Sequence, residues 1–369
     1  MPKYLKKKKH HPFLLALVSI LLIVALLVAV ILFFLLSKLD KITFADEIED
    51  SYLSEDVVDA ADDPGDAVVQ ETTADENFSV LIDGLDVYEV PPTVPDTQIQ
   101  EDKNVQNILL IGTDERTTQY SKSARADSMI LVSINKDLHT VRLVSLERGI
   151  GVPILEGELA GQYDLLTHIF RWGGADLLIK TVEHCFKVDV NHYVRVNFAA
   201  VEKIVDSIGG INIEMTAREA EGINLWSAEG SQVVRAGKNR VNGETALSFA
   251  RLRWIDSDWQ RVGRQRKVIL AIVDELKNAD MKELNQLADT VLPLIQTNLT
   301  KMEIAELVLY APNFLRSQFD QMTIPKQGTY GGMGIRNGGG AFAVDYEINN
   351  DLLYRFLYEG ATSEELLAE

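Results

Sequence analysis

An uncharged apolar run from Phe13 to Leu36 constrains this chain more than any other feature of it. Its 24 residues, rising about 1.5 Å each as a helix, are enough to cross about 30 Å of hydrocarbon. Lys6 to Lys9, His10 and His11 stand before the run, and a strongly acidic stretch follows it. The positive-inside bias then makes residues 1–12 a cytoplasmic basic tail and 13–36 a transmembrane helix. Everything beyond lies outside a cell membrane crossed once. A cleaved signal peptide has a shorter apolar region ending in a small-residue cleavage site. Leu35-Leu36-Ser37-Lys38-Leu39 offers no such site, so an uncleaved anchor is expected.

The formal charge of −19 is local. From Asp40 to Asp102 there are 20 Asp or Glu and one lysine, Lys41, so the rest of the chain is balanced. Residues 37–103 therefore read as an acidic, mostly disordered extracytoplasmic linker, with Asp62-Asp63-Pro64-Gly65-Asp66 and Val90-Pro91-Pro92 inside it. Within it, Asn77 to Val90 is apolar enough for a short strand or docking segment. A neutral folded part without a broad basic face, placed outside the cell, argues against nucleic acid as a partner. Cys185 is the single cysteine. No internal disulfide is possible, and its apolar helical surroundings suggest a buried structural thiol.

From residue 104 to 369 the pattern is that of a globular domain. Asn107 to Ile111, Ser128 to Ile134 and Thr140 to Ser145 read as strands, and Ile211 to Met215 and Gln321 to Pro325 as two more. Helical periodicity covers 175–186, 198–207 (closed by Gly209-Gly210), 243–252, 259–277, 281–291, 300–314 and 350–358, while 328–340 reads as a Gly-rich loop. Strands interleaved with helices indicate an α/β domain with helices on both sheet faces.

Four segments carry charge at element ends. Asp114 follows the first strand, in Gly112-Thr113-Asp114-Glu115-Arg116, and ligands usually sit at the carboxyl ends of strands in such sheets. Arg125-Ala126-Asp127 precedes the second strand, and Arg148 ends the third. Arg251-Leu252-Arg253 is followed by Arg261, Arg264, Gln265 and Arg266. At about 100° per residue, Val262, Ile269, Ile272, Val273 and Leu276 form one apolar stripe. Gln265 falls inside it, and Arg261 and Arg266 on its edges. A polar group inside an apolar stripe needs a partner.

Arginine's planar fork suits phosphate oxygens. Asp114 and Asp127 are poor phosphate ligands alone and good ones through a bridging Mg²⁺ or Mn²⁺, which takes carboxylate and phosphate oxygens together. The set describes a metal-assisted pyrophosphate site.

These residues resemble the LytR-CpsA-Psr family of cell-envelope glycopolymer transferases. The matching pieces are Asn107 to Asp114 with Arg116, Arg125 to Ile134, Val144 to Arg148, Asn197-Phe198 with Ile208-Gly209-Gly210-Ile211, Ala246 to Arg253, and Asp256 to Arg266. The resemblance implies an α-β-α sandwich with a mixed central sheet. It also implies transfer of a glycan from a polyprenyl-pyrophosphate carrier to an envelope acceptor, typically peptidoglycan. Carried over by position, Asp114 and Asp127 hold the metal, and one of them serves as base. Arg125, Arg148, Arg251, Arg253, Arg261 and Arg264 bind the pyrophosphate, Arg148 acting in catalysis, and Gln265 completes the shell. The chain departs from the pattern at Arg148-Gly149, where the family carries Arg-Asp, and at Glu147, where a Pro is common. The block before Gly173-Gly174 is also unlike the family's Asn-His-Ala-Tyr. Two other readings share the same residues: a lipid-pyrophosphate hydrolase, and a non-catalytic membrane-tethered lipid- or glycan-binding protein.

Overall fold

The computed structural model describes residues 42–44, 85–115, 120–121, 124–227, 231–278, 289–314 and 317–368. The expected basic tail, the membrane helix at 13–36, most of the linker, Arg116 and all but the end of the helix expected at 281–291 lie outside the described residues. Among the described residues no helix is long and apolar enough to cross a membrane.

In chain order the strands are β1 (Thr43–Phe44), β2 (Val87–Tyr88), β3 (Val105–Thr113), β4 (Ala126–Asn135) and β5 (Thr140–Leu146). Next come β6 (Gly151–Pro153), β7 (Tyr163–Leu165), β8 (His192–Asn197), β9 (Ile211–Met215) and β10 (Gly237–Val241). The last are β11 (Gln296–Thr297), β12 (Gln318–Ile324), β13 (Tyr330–Gly334) and β14 (Gly340–Val344). The helices are α1 (Leu166–Phe186), α2 (Phe198–Ser207), α3 (Ala217–Trp226), α4 (Gly243–Arg251), α5 (Asp258–Asn278), α6 (Lys301–Phe314), α7 (Tyr346–Tyr358) and α8 (Ser363–Ala368).

Seven strands form the main sheet in the order β1-β11-β8-β3-β4-β5-β12. It is mixed: β4 runs antiparallel to both β3 and β5, while β8 is parallel to β3 and β12 to β5. Leu109, Ile111, Met129, Leu131, Val144 and Leu146 point to one face and join Leu178 and Val182 of α1 and Leu353 and Phe356 of α7 in the largest core cluster. On the opposite face Arg266 of α5 bonds Ser145 of β5 and, at 2.9 Å, Thr323 of β12. Helices thus cover both faces, which is why β5 is buried at every residue. A second cluster joins β9 and β10 to α3, α4 and Val268 of α5.

Cys185 is buried in the main core, and burial pushes its thiol up to about 12. Gly210 follows α2 at φ +92°, where a Cβ would meet the Val241 carbonyl oxygen at 2.6 Å, so only glycine fits this exit.

Three expectations change. The Gly-rich stretch at 328–340 is only partly loop: it contains β13 and the first residue of β14, which pair antiparallel across residues 335–339. The helix expected at 175–186 is preceded by a further helical segment from Leu166, with Gly173 and Gly174 leaving helical geometry between the two. Parts of the acidic segment are docked rather than extended. β1 lies on the sheet edge beside β11, β2 pairs with β13, and the amide of Gln100 donates to the Lys187 carbonyl at 2.9 Å.

Candidate functional site

Because β4 is antiparallel to both neighbours, its first residues lie beside the last residues of β3 and β5. Asp114, Asp127 and Arg148, the last two 21 residues apart in sequence, therefore share one end of the sheet. The start of α5 enters at the same place and brings Asp258 and Arg261.

A buried cation anchors Glu115, two residues after β3. Arg195 of β8 is 1% exposed. It pairs with Glu115, donates to Gln296 at 2.9 Å, and lies between the rings of Tyr120 and Phe170 at 4.5 and 4.6 Å. Glu115 also accepts the amide of Ser121 at 2.9 Å. The next anchor is Asp114, whose two oxygens accept the backbone N–H and the Nε–H of Arg125 at 3.0 and 3.1 Å.

Asp258 is the centre of charge. Its carboxylate receives Nε of Arg148 at 3.0 Å and sits 2.9 Å from Nε of Arg261. Arg148 also donates from Nη1 to Asp127 at 3.1 Å. Burial alone would raise the Asp127 carboxyl; Arg148, Arg261 and Arg125 outweigh it and hold Asp127 below the usual carboxylate range. Burial likewise opposes charge on Arg148, but Asp258 and Asp127 hold its guanidinium above the usual arginine value. Arg261 is held lower, first by burial and then by Arg148, from a starting value so high that it remains a cation. The three guanidiniums of Arg125, Arg148 and Arg261 are thus matched by the carboxylates of Asp114, Asp127 and Asp258.

A fourth carboxyl, Glu147, is fully buried, and neither of its oxygens meets a donor. Asp258 beside it becomes a partner only when one of the two carries a proton. Burial, then the charge of Asp258, pushes Glu147 well above the usual range, while Arg148 and Arg261 hold Asp258 below it against burial, so a proton shared by the two favours Glu147.

Arg251 ends α4 and lies over the ring of Phe198 at 4.7 Å. Phe198 directly follows Asn197, which is paired with Thr113, so Arg251 borders the same sheet end. Arg253 is exposed in the turn between α4 and α5. Gln265 is half-buried and its Oε1 is buried without a partner.

Arg264 points elsewhere. It is 2% exposed, grips Asp256 through both terminal nitrogens at 2.7 and 2.8 Å, and bonds the Leu252 carbonyl. Its fork is spent on holding the turn before α5, so the structure does not bring it together with the other arginines. Arg266, also on α5, reaches only neutral oxygens of Ser145, Gln321, Met322 and Thr323, and burial lowers it to about 10.

The expected stripe on α5 is therefore only partly observed. Val262 and Val268 are 3% exposed, but Arg261 and Arg264 are as fully buried, which leaves Gln260 and Lys267 as the exposed polar positions of the first turns. The helix is enclosed by the sheet on one side and by the β9–β10 unit on the other. Asp258 was missed by sequence reasoning; its i,i+3 spacing to Arg261 is the local signal that it anchors a cation.

Among the described residues no group of three His, Cys, Asp or Glu side chains gathers as a metal cluster. Asp114 and Asp127 supply two hard carboxylates that both act on Arg125. Such a donor set suits a cation completing its shell with phosphate oxygens and water.

Comparison with known proteins bears on the family and the fold. The polyisoprenyl-teichoic acid–peptidoglycan teichoic acid transferase TagU of Bacillus cereus is 30% identical over 234 residues, covering 62% of this chain and 71% of TagU. The corresponding TagT of Bacillus subtilis is 30% identical over 201 residues, 54% of this chain and 61% of TagT. A solved structure of TagT bound to LIIa-WTA superposes with a TM-score of 0.57 at 25% identity, covering 73% of this chain and 96% of that one. The LytR_cpsA_psr family pattern spans residues 44–350, from β1 to α7, and this chain belongs to that family.

Proposed function

We propose that this chain transfers a glycopolymer from a polyprenyl-pyrophosphate carrier to an envelope acceptor, with peptidoglycan the acceptor named for its relatives. The observation that carries this reading is the Asp258 clamp. It holds Arg148 and Arg261 side by side next to Asp127 and Arg125, as a preorganised cradle for a dianionic pyrophosphate.

In the reaction, the acceptor hydroxyl oxygen bonds to the glycan-side phosphorus. The anhydride P–O bond breaks, and lipid phosphate leaves with the bond's electron pair. Arg148 and Arg261 face the oxygens on which that charge accumulates, and Arg125 and Arg251 flank the sheet end where the substrate enters. The hydroxyl proton passes to Asp114 or Asp127. Asp114 and Asp127 would hold a Mg²⁺ or Mn²⁺ ion, which would neutralise charge on the pyrophosphate. Residues 13–36 tether the domain to the bilayer that carries the lipid donor, with the domain on its outer side.

The test is transfer by the purified full-length chain in detergent, given a polyprenyl-pyrophosphate-linked glycan with and without acceptor strands. Acceptor-dependent loss of lipid-linked glycan is expected. Release at the same rate without acceptor makes the chain a hydrolase instead, and retention of the lipid without turnover makes it a binding protein.

A further inference from the structure

The block from Leu166 to Gly174, where this chain departs from its family's pattern, builds a second polar cluster beside the first. Thr167 links the two. Its hydroxyl donates to the Ala126 carbonyl at 2.9 Å and its amide to the Arg148 carbonyl at 3.2 Å. The neighbours of Asp127 and Arg148 are thus joined to the first turn of α1, and His168 is the next residue along.

Asp164, at 1% exposure, organises this cluster. One oxygen is 2.8 Å from Nδ1 of His168; the other accepts Nε1–H of Trp172 at 3.1 Å and Nη1–H of Arg336 at 3.4 Å. The Arg336 guanidinium lies over the Trp172 ring at 5.0 Å. With Nδ1 on the carboxylate, Nε2 is the nitrogen His168 has left for another partner. Trp172, with its N–H tied inward and a cation on its ring, is still 39% exposed. The helix breaks directly after it: a Cβ at Gly173 would meet Leu177 Cβ at 2.5 Å, and Gly174 sits at φ +63°. A continuous helix would carry α1 straight through this position, whereas the break leaves Trp172 at the end of a short, rigid first segment.

We propose that Trp172, His168 and Arg336 form a saccharide subsite adjoining the phosphate site. A rigid, half-open indole offers the apolar face on which the C–H face of a pyranose stacks. His168 meets a ring hydroxyl, and Arg336 a carboxylate or phosphate on the glycan. Its ligand class rests on the transferase reading, in which donor and acceptor both contain sugars.

The test titrates the full-length chain in detergent with two probes, chitotetraose for the sugar and geranylgeranyl pyrophosphate for the phosphate site. Trp172→Ala is expected to weaken chitotetraose binding about tenfold while geranylgeranyl pyrophosphate affinity stays within about twofold. Trp172→Phe should restore most of the loss, and Trp226→Ala, at a 50% exposed tryptophan elsewhere, should leave both affinities unchanged. The subsite is overturned by a parental chain that ignores chitotetraose, by Trp172→Ala binding it like the parent, or by equal weakening of both probes. Sugar binding without pyrophosphate binding leaves the subsite standing and removes the transferase reading. In transfer assays, a raised KM for acceptor alone assigns the subsite to the acceptor strand, and for lipid-linked donor alone to the donor glycan. Both KM values unchanged overturn it.

Discussion

Asp258 and Arg148 are 110 residues apart in sequence and 3.0 Å apart in space. Their contact joins the end of β5 to the start of α5. Asp258 is 8% exposed and Arg261, its second partner, 4%. At such burial two like charges side by side are costly, and one carboxylate between them makes the pair stable without a bound ligand.

Asp258→Asn leaves both guanidiniums without their shared anion. The expected loss of stability is about 3–5 kcal/mol, as for breaking a buried pair from one side. Chemical denaturation measures it. Adding Arg148→Met should recover part of the loss, because one uncompensated cation is gone; strict additivity of the two substitutions would show that the clamp does not couple them.

Asp127→Ala should lower transfer by about 10²–10³-fold with the fold intact, as when a charge-stabilising group is lost from a preorganised site. Chelation of divalent ions should abolish parental activity, and Mg²⁺ or Mn²⁺ should restore it. Transfer by Asp127→Ala at the parental rate removes Asp127 from the chemistry.

Glu147 makes stability depend on pH with a defined sign. Its folded-state value lies above its unfolded one. Its favourable contribution is therefore complete below the ordinary glutamate range and is lost as pH rises toward the folded value. Glu147→Gln keeps a donor toward Asp258 at every pH. The variant's melting temperature should fall less than the parent's from pH 5 to pH 9, and an unchanged slope means that Glu147 carries no proton. Asp127, held low, acts oppositely: its contribution is present above the ordinary aspartate range and disappears as pH drops through its folded value.

Arg261 and Arg264 separate binding from architecture. Arg261→Ala should weaken prenyl-pyrophosphate binding by about tenfold or more. Arg264→Ala should cost about 2 kcal/mol of stability, since Asp256 is partly exposed and solvent softens the loss. Its kcat/KM per folded molecule should stay near the parental value. If Arg264→Ala instead reduces kcat/KM as strongly as Arg261→Ala, the clasp on Asp256 is part of the site.

The strands were legible because the sheet is covered on both faces, so Ile108 to Ile111 and Met129 to Val132 read as continuous apolar runs. Asp114, Arg125, Asp127 and Arg148 were legible because strand ends are marked by the change from apolar to charged. α5 was less so. Its stripe was read from Val262, Ile269, Ile272, Val273 and Leu276, but a helix enclosed on two sides buries Arg261, Arg264 and Arg266 as well. Periodicity reports a single apolar face; it does not register cations whose partners come from distant segments.

By itself the sequence pointed to the class of chemistry proposed here, since arginines and aspartates at strand ends suit a metal-bound pyrophosphate whatever their exact pairing. It determined the α/β architecture too, because burial patterns follow from local periodicity. Which arginine faces a ligand and which one supports a turn was decided only by the tertiary structure. Arg261 and Arg264 differ by three positions on one helix, yet Asp258 draws one to the sheet end while Asp256 and the Leu252 carbonyl draw the other away from it. The antiparallel placement of β4 then brings Asp127 against Arg148, a proximity set by strand order rather than by any spacing along the chain.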